Sequence, residues 1–340
     1  MIAAQVREAV RAGGLLAPER PLVVMLSGGR DSTCLLDVAI ALCGGAAVSA
    51  LHVNYGLREQ ADADERHCVE LCARVGVELE VVHAERPVPG AGAGAGGNVQ
   101  AWARELRYQH AGRAARARGA AVATGHTASD QVETILYRLA ASPGRRALLG
   151  MPGGERAQPA GGTDVPVALI RPLLSVTREQ TAAYCEARGL RWCEDESNSD
   201  ERYARTRVRH GLLDALRAVH PAAEANVLRT AALLREETQL LDGLVAAELG
   251  GRASITIERL RELPPALARL LVVRLAEDAV GTYVPQAGDR VEEILALAER
   301  GGAAELHVGG RAGAVIAGGV LEMVKLPPRE ARGGERAEGD

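Results

Sequence analysis

The sequence predicts an α/β protein built on a parallel, doubly wound sheet, followed by a smaller and mainly helical C-terminal domain. The first observation behind this is that short apolar runs alternate with segments of helical spacing in the N-terminal part of the chain. Strands that alternate with helices pair in parallel, and helices cover both faces of their sheet. The second observation is the composition: 340 residues, 47% hydrophobic and 25% charged, are typical of a soluble globular protein and suffice for two domains.

The first strand is predicted at 21–26 (PLVVML), a short β-branched run that ends at a pair of glycines. The next segment, 32–43, has the apolar spacing of a helix, and 46–53 has the pattern of a second buried strand. Further strands are predicted at 77–83, 120–124 and near Ile170, and further helices at 59–75, 98–118, 129–141, 177–188 and 203–218.

The character of the sequence changes at His220-Pro221, after which long helical patterns dominate. Helices are predicted at 222–249, 264–279 and 288–300, and short strands separated by glycine pairs within 303–325. We therefore divide the chain into an α/β domain at 1–217, a helical domain ending in short strands at 218–326, and a polar tail at 327–340. The tail is expected to be disordered, because it is rich in Pro, Gly and charged residues.

The sequence also argues against several classes of protein. It has no apolar run long enough to cross a membrane, and its first residues carry Arg7, Glu8 and Arg11 where a signal peptide needs an apolar stretch. We therefore expect a cytoplasmic protein without a membrane partner. Six cysteines without a CxxC pair indicate reduced thiols and make a structural zinc site improbable.

The strongest chemical signal is LSGGRDST at 26–33, between a predicted strand and a predicted helix. The backbone N–H groups of Gly28 and Gly29 are not shielded by side chains, and the following helix presents its positive end. Such a loop is suited to phosphate or pyrophosphate, with hydroxyl donors from Ser27 and Ser32, while Asp31 is a candidate Mg²⁺ ligand. The alternative is a purely structural glycine turn before a helix, without a ligand.

A second glycine pattern competes with this loop. Gly92, Gly94 and Gly97 satisfy GxGxxG ahead of a predicted helix, but they lie in an Ala/Gly repeat. No acidic residue occurs between 106 and 129, where a dinucleotide site needs one for the ribose. A spacer loop is the favoured interpretation.

Charged residues at helical spacing mark two further candidate sites. Asp130 and Glu133 are three residues apart at a helix start, so they share a face that could hold a cationic amine. Helix capping and dipole compensation are the alternative. Arg104 and Arg107 have the same spacing in an arginine-rich helix, which indicates either phosphate or RNA contact or a solvated basic face.

The loop resembles the pyrophosphate loop, SGGxDS, of the N-type ATP pyrophosphatases, which split ATP between its α and β phosphates. Five more segments, in order and spacing, are similar to those of the tRNA(Ile)-lysidine synthetases within that PP-loop superfamily. They are HVNYGLR at 52–58, NVQAWARELRY at 98–108, GHTASDQVET at 125–134, RPLL at 171–174 and WCEDESNSDERYARTRVR at 192–209. The resemblance covers 21 to about 217 and continues more loosely to about 325.

The resemblance implies an adenine nucleotide alpha hydrolase-like fold and ATP-dependent ligation of lysine to the wobble cytidine of an isoleucine tRNA with a CAU anticodon. ATP and Mg²⁺ are the implied cofactors, tRNA(Ile) and free lysine are the partners, and a homodimer is left open. Asp130 and Glu133 are expected to bind and deprotonate lysine. The ATP site is expected at Ser27, Gly28, Gly29, Arg30, Asp31, Ser32 and His52, the tRNA contacts at Arg104, Arg107, Arg205 and Arg209, and catalysis at Asp31, Asp130, Glu133 and Arg205.

The sequence departs from the synthetase pattern at Tyr55, Ser129 and Thr206, which weakens any role for those three positions. Members of the family often carry a further C-terminal domain that contacts the tRNA acceptor end, and we expect this chain to resemble the short class. Two rivals stay open. A tRNA thiolase of the same superfamily would rely on catalytic or cluster-binding cysteines, often as CxxC, and a non-catalytic nucleotide-binding protein would bind ATP without forming AMP.

Overall fold

The computed structural model describes residues 1–57, 60–84, 99–141, 145–157, 167–194 and 204–327. By its internal contacts the chain divides into two compact units, one ending at Ala231 and the other beginning at Ala232. The boundary predicted after residue 217 lies earlier than this division. The division is later because Val227 and Leu228, in the first turns of the following helix, pack on Leu213.

A six-stranded sheet forms the centre of the first unit. Its strands are β1 (Leu22–Met25), β2 (Val48–Asn54), β3 (Glu78–His83), β4 (Ala121–Ala123), β5 (Gly154–Ala157) and β6 (Val167–Ile170). Their order is β3-β2-β1-β4-β6-β5, and all neighbours pair in parallel except the edge pair of β5 and β6. The predicted parallel sheet is confirmed, whereas the antiparallel strand β5 was not predicted.

Helices cover both faces of this sheet because the side chains of β1 alternate between two apolar clusters. Val24 packs with Leu35 of the helix that follows β1, and Val23 packs on the other face with Ala111 and Ala115 of a later helix. The helices are α1 (Ile2–Ala12), α2 (Arg30–Cys43), α3 (Ala61–Val75), α4 (Val99–Arg118), α5 (Ala128–Ala141), α6 (Arg178–Ala187), α7 (Ala204–Arg207) and α8 (Leu213–Val219).

Two helical features of the first unit were not predicted. Helix α1 is amphipathic and buries Val6 and Val10 in the same cluster as Val24. The helix predicted at 203–218 is interrupted, because the chain makes one wide π turn at Val208–Leu212 between α7 and α8.

The second unit has its own core and its own sheet. Helix α9 (Ala223–Leu249) crosses the division between the units, and the later elements are β7 (Ser254–Thr256), α10 (Ile257–Glu262), α11 (Pro265–Val280), α12 (Val291–Glu299), β8 (Ala304–Gly309), β9 (Ala312–Ala317) and β10 (Val320–Lys325). The four strands form an antiparallel sheet of order β7-β10-β9-β8. The predicted helices and short strands are present, while β7 and α10 are additional.

None of the helices in the described part of the chain combines the length and apolarity that crossing a membrane requires. The glycine-rich loop at 90–97 and the predicted tail beyond residue 327 lie outside the described residues.

Candidate active site

The glycine loop lies where β1 ends and α2 begins, at the carboxyl end of the sheet. Gly28 has a φ of +83°, a conformation that favours glycine. A Cβ at Gly28 would also lie 3.3 Å from the Sγ of Cys68 and 3.6 Å from the Sγ of Cys193. The loop conformation therefore requires glycine at this position.

Two serines hold the loop in shape. The Ser32 hydroxyl donates to the carbonyl oxygen of Gly29 at 2.8 Å, and it accepts from the backbone N–H of Ser27 at 3.2 Å. The hydroxyl oxygens of Ser27 and Ser32 lie 3.1 Å apart. No side chain caps the start of α2, and its first residues line the cavity, so the uncapped N–H groups and the positive end of the helix dipole lie beside it. This arrangement is suited to an anion.

His52 was expected to contact ATP directly, and the structure corrects this expectation. Successive side chains of a strand point to opposite faces, and in β2 it is Leu51 and Val53 that line the cavity. The His52 ring is buried on the other face, with Nδ1 2.9 Å from the carbonyl oxygen of Leu26 and 3.4 Å from the Sγ of Cys68. His52 thus contacts the start of the loop from the face of β2 that is turned away from the cavity.

A cavity of about 760 Å³ opens over this loop and contains most of the expected site residues. Apolar side chains from β1 and β2 line part of it, and Thr124, Gly125 and His126 after β4 line another part. The expected residues that line it are Ser27, Gly29, Arg30, Asp31, Ser32, Arg104, Arg107, Asp130 and Arg209. A second cavity, of about 890 Å³, lies near Leu22 and Val48, where β1 and β2 begin. Ligands of such sheets bind at the carboxyl ends of the strands, so we assign the site to the first cavity.

The carboxylates of Asp130 and Glu133 face the same point, as their spacing predicted, and a guanidinium already lies between them. Arg178 donates to Asp130 Oδ1 at 2.5 Å and to Glu133 Oε1 at 2.7 Å. Its Nε is 3.7 Å from Asp31 Oδ2. Arg209 donates to both oxygens of Glu133, at 2.8 and 3.2 Å. The pair is therefore a built cation site beside the glycine loop.

Burial and charge act in opposite directions on Asp130. Burial alone would raise the pKa of this carboxyl, but the Arg178 guanidinium and the hydrogen bonds from Thr127 outweigh it and hold the pKa below its usual value. Thr127 donates from both its backbone N–H and its hydroxyl to Asp130 Oδ2, each at 2.8 Å. Burial likewise opposes the charge of Arg178, whose pKa is nevertheless raised by Asp130 and Glu133. Asp130 and Arg178 therefore form an ion pair at neutral pH.

Asp31, the second residue of α2, lies beside both the loop and Arg178. Its Oδ1 accepts from the hydroxyl of Thr181 at 2.5 Å and from the Nε of Arg30 at 3.2 Å. Among the described residues, no group of three or more His, Cys, Asp and Glu side chains has the arrangement of a metal site. Mg²⁺ commonly takes only one or two carboxylates and completes its ligands with phosphates and water, so Asp31 fits that role.

The arginines expected to contact tRNA do not share one environment. Arg104 is exposed at the cavity and stacks its guanidinium over Tyr108, 4.9 Å from the ring centre. Arg107 also lines the cavity, and its buried Nε has no hydrogen-bond partner among the described residues. Arg209 is paired with Glu133, and the side chain of Arg205 lies outside the described residues.

Sequence reasoning missed Arg178, although a signal for it exists. Thr177 and Gln180 form a capping box, in which each side chain bonds the backbone of the other residue, so Arg178 is the first residue of α6. The T-x-x-Q pattern, two residues after RPLL, is readable in the sequence. The partners of Arg178, however, are more than forty residues away along the chain.

A family model described as the PP-loop domain matches residues 2–216, which include this cavity and every side chain discussed around it. The chain belongs to the PP-loop family. The solved structure of a U34-tRNA thiolase from Methanococcus maripaludis, determined with its 4Fe–4S cluster, has the same fold with a TM-score of 0.55. The two are 16% identical, and the similarity covers 69% of this chain and 80% of the thiolase.

Several curated relatives of this PP-loop chain are named tRNA(Ile)-lysidine synthase. A tRNA(Ile)-lysidine synthase of Pseudomonas fluorescens is 39% identical over 229 residues, which cover 66% of this chain and 48% of the relative. A tRNA(Ile)-lysidine synthase of an Azoarcus species is 35% identical over 306 residues, covering 89% of this chain and 65% of the relative. The chain thus spans about half to two thirds of the length of these relatives.

Proposed function

We propose that this protein ligates lysine to the wobble cytidine of an isoleucine tRNA with a CAU anticodon, consuming ATP and forming lysidine. The observation that carries the proposal is the carboxylate pair Asp130 and Glu133, which holds a cation next to the glycine loop. A reaction that joins an amine to an ATP-activated carbonyl needs these two sites side by side. The names of the curated relatives support the same reaction.

The reaction would proceed in two steps. The ring carbonyl oxygen of cytidine attacks the α-phosphorus of ATP and releases pyrophosphate, which leaves an adenylylated cytidine. The ε-amine of lysine then attacks the activated ring carbon and releases AMP, a far better leaving group than the original oxygen. Family membership supports the use of ATP.

The residues of this chain have separate tasks in these steps. The loop N–H groups and the start of α2 hold phosphate oxygens, and Asp31 would hold Mg²⁺, which offsets the charge of the leaving pyrophosphate. Asp130 and Glu133 hold the lysine ammonium and accept its proton before attack. Arg107 would bind a phosphate oxygen, a role supported by its buried Nε, which has no partner among the described residues.

The RNA-binding part of the proposal rests on the arginines at the cavity. We place the tRNA anticodon over Arg104 and Arg107, with Arg205 and Arg209 contributing from α7 and the π turn. All three substrates, ATP, lysine and tRNA, are cytoplasmic compounds, so the cytoplasm is the proposed location. A homodimer is compatible with the proposal but does not follow from it.

The decisive experiment incubates the protein with ATP, labelled lysine and bulk tRNA, and measures label in RNA beside AMP release. The double variant Asp130→Asn, Glu133→Gln should lose lysine incorporation while keeping its affinity for ATP. The control is Asp278→Asn, which removes an exposed ion pair of α11 and should incorporate lysine as the wild type does.

Each contrary outcome has a distinct meaning. AMP release with tRNA but without lysine incorporation would reassign the protein to another PP-loop modification, and ATP binding without AMP would make it a non-catalytic nucleotide-binding protein. If the double variant loses ATP binding and keeps a normal lysine dependence, the carboxylates belong to the nucleotide site.

A further inference from the structure

The proposed lysine site is closed by the protein's own arginines. All four carboxylate oxygens of Asp130 and Glu133 already accept hydrogen bonds: Arg178 and Arg209 bind three of them, and Thr127 binds the fourth, Asp130 Oδ2. Glu133 is only 3% exposed, so it has little room for another partner. An incoming ammonium therefore has to replace a guanidinium.

The charge of the cluster leads to the same conclusion. Asp31, Asp130 and Glu133 supply three negative charges, and Arg178 contacts all of them, while Arg209 and Arg30 neutralise the remainder. Adding a lysine ammonium to this balanced cluster would place an uncompensated positive charge in a partly buried site. Such a charge is costly unless another cation leaves.

The side chain of Arg178 has a second anionic position within reach. Its Nε is 3.7 Å from Asp31 Oδ2, and Asp31 lies at the start of α2, where the phosphates of ATP would bind. The backbone of Arg178 is fixed by the capping box of α6, so only its flexible side chain needs to move. Arg209 lies 2.8 Å from Glu133 and 4.0 Å from Asp130, so it contacts the same carboxylate pair.

We propose that Arg178 is a gating residue that occupies the carboxylate pair until ATP binds, then moves to the phosphates and leaves the pair to lysine. The proposal rests on the proposed function, because it takes ATP and lysine as the two ligands. Its consequence is that ATP and lysine bind cooperatively and that lysine has little affinity for the nucleotide-free protein. Coupling of this kind is reciprocal, so lysine also tightens ATP binding.

The test measures lysine binding by calorimetry, with and without the non-cleavable analogue α,β-methylene ATP and Mg²⁺. For the wild type we expect the analogue to tighten lysine binding by about 10-fold or more, within the usual range of coupling between sites. For Arg178→Gln we expect lysine to bind without nucleotide about as well as the wild type does with it. The analogue should then change lysine affinity by less than about 3-fold, because no guanidinium at position 178 is left to move from the carboxylates to the phosphates.

The matched control is Arg188→Gln. Arg188 follows the same helix and is bound to a carboxylate, Asp37, at 3.0 and 3.2 Å, but it does not line the cavity. This variant should keep the full wild-type coupling. If Arg178→Gln does not fold, Arg178→Lys retains one positive charge in the cluster and should show a coupling between the wild-type value and none.

Three results would overturn the gate: equal lysine affinity with and without analogue in the wild type, undiminished coupling in both Arg178 variants, or loss of coupling in Arg188→Gln. The failure of the proposed function looks different, because it is the absence of labelled lysine in tRNA with the wild-type enzyme. Lysine incorporation without nucleotide-dependent lysine binding would refute the gate alone.

Discussion

Gly125 lies between β4 and α5, and its substitution by alanine tests how closely the site is packed. A Cβ at this position would lie 3.0 Å from the carbonyl carbon of Asp31 and 3.0 Å from the backbone nitrogen of Ser32. Both atoms belong to the first turn of α2, which forms the proposed phosphate site. Because they are backbone atoms, no side-chain rotation can relieve the contact.

The size of the effect follows from these distances. Ordinary contact between such atoms begins near 3.5 Å, so α2 and the Gly125 segment must separate by about 0.5 Å. Added atoms in a well-packed region typically cost about 1–3 kcal/mol. For a unit of this size, about 2 kcal/mol lowers the melting temperature by roughly 4–8 °C. Since the displaced turn is also the phosphate site, we expect ATP affinity to fall about 10-fold, which corresponds to about 1.4 kcal/mol.

The assay is thermal unfolding together with ATP binding, and the control is Gly45→Ala. Gly45 lies in the short turn before β2, has no heavy atom within 4 Å of an added Cβ, and does not have a positive φ. The control should melt and bind ATP as the wild type does. A Gly125→Ala protein with unchanged melting temperature and ATP affinity would refute the argument that β4 and α2 are in tight contact.

Two further predictions concern charge. Burial raises the pKa of Asp37, but hydrogen bonds from Arg188 and Tyr184 outweigh it and keep the pKa below its usual value. A depressed folded-state pKa stabilises the fold above the unfolded pKa of about 3.9, so Asp37→Asn should cost about 1.5–3 kcal/mol in urea unfolding at pH 7. That difference should shrink as the pH falls below about 4, through the folded pKa, and a constant difference down to pH 2.5 would contradict the assignment. Arg104→Ala should lower the slope of log tRNA affinity against log salt concentration by about 1. The control is Arg113→Ala, exposed on the same helix, which should keep the wild-type slope. If Arg104→Ala also keeps the wild-type slope, Arg104 is a solvated residue that does not contact RNA phosphate.

The sequence predicted best where a short stretch determines the structure. The glycine loop follows from the residues around Gly28 alone, and the shared face of Asp130 and Glu133 follows from helical spacing. The parallel sheet follows from the alternation of strands and helices. In the first two cases the information lies within one or two turns, and in the third it lies in the succession of local patterns along the chain.

Features that depend on distant partners were not predictable in the same way. The ion pairs of Arg178 join α6 to α5, and the late division of the chain depends on packing between α9 and α8. His52 belongs to the same group, because its motif suggested a ligand contact and only the structure shows that Leu51 and Val53 face the cavity. The alternation of β2 then directs the His52 side chain to the other face.

The π turn at Val208–Leu212 belongs to a segment that is attached twice to one neighbouring helix. Arg209, within the turn, is bound to Glu133, and Leu213, directly after it, is buried with Val132 of the same helix α5. Residues four apart lie on one face of a helix, so a polar and an apolar anchor both reach α5 from the same side of the segment. The carboxylate of the proposed lysine site and the apolar side of α5 are therefore tied to the same short stretch of chain.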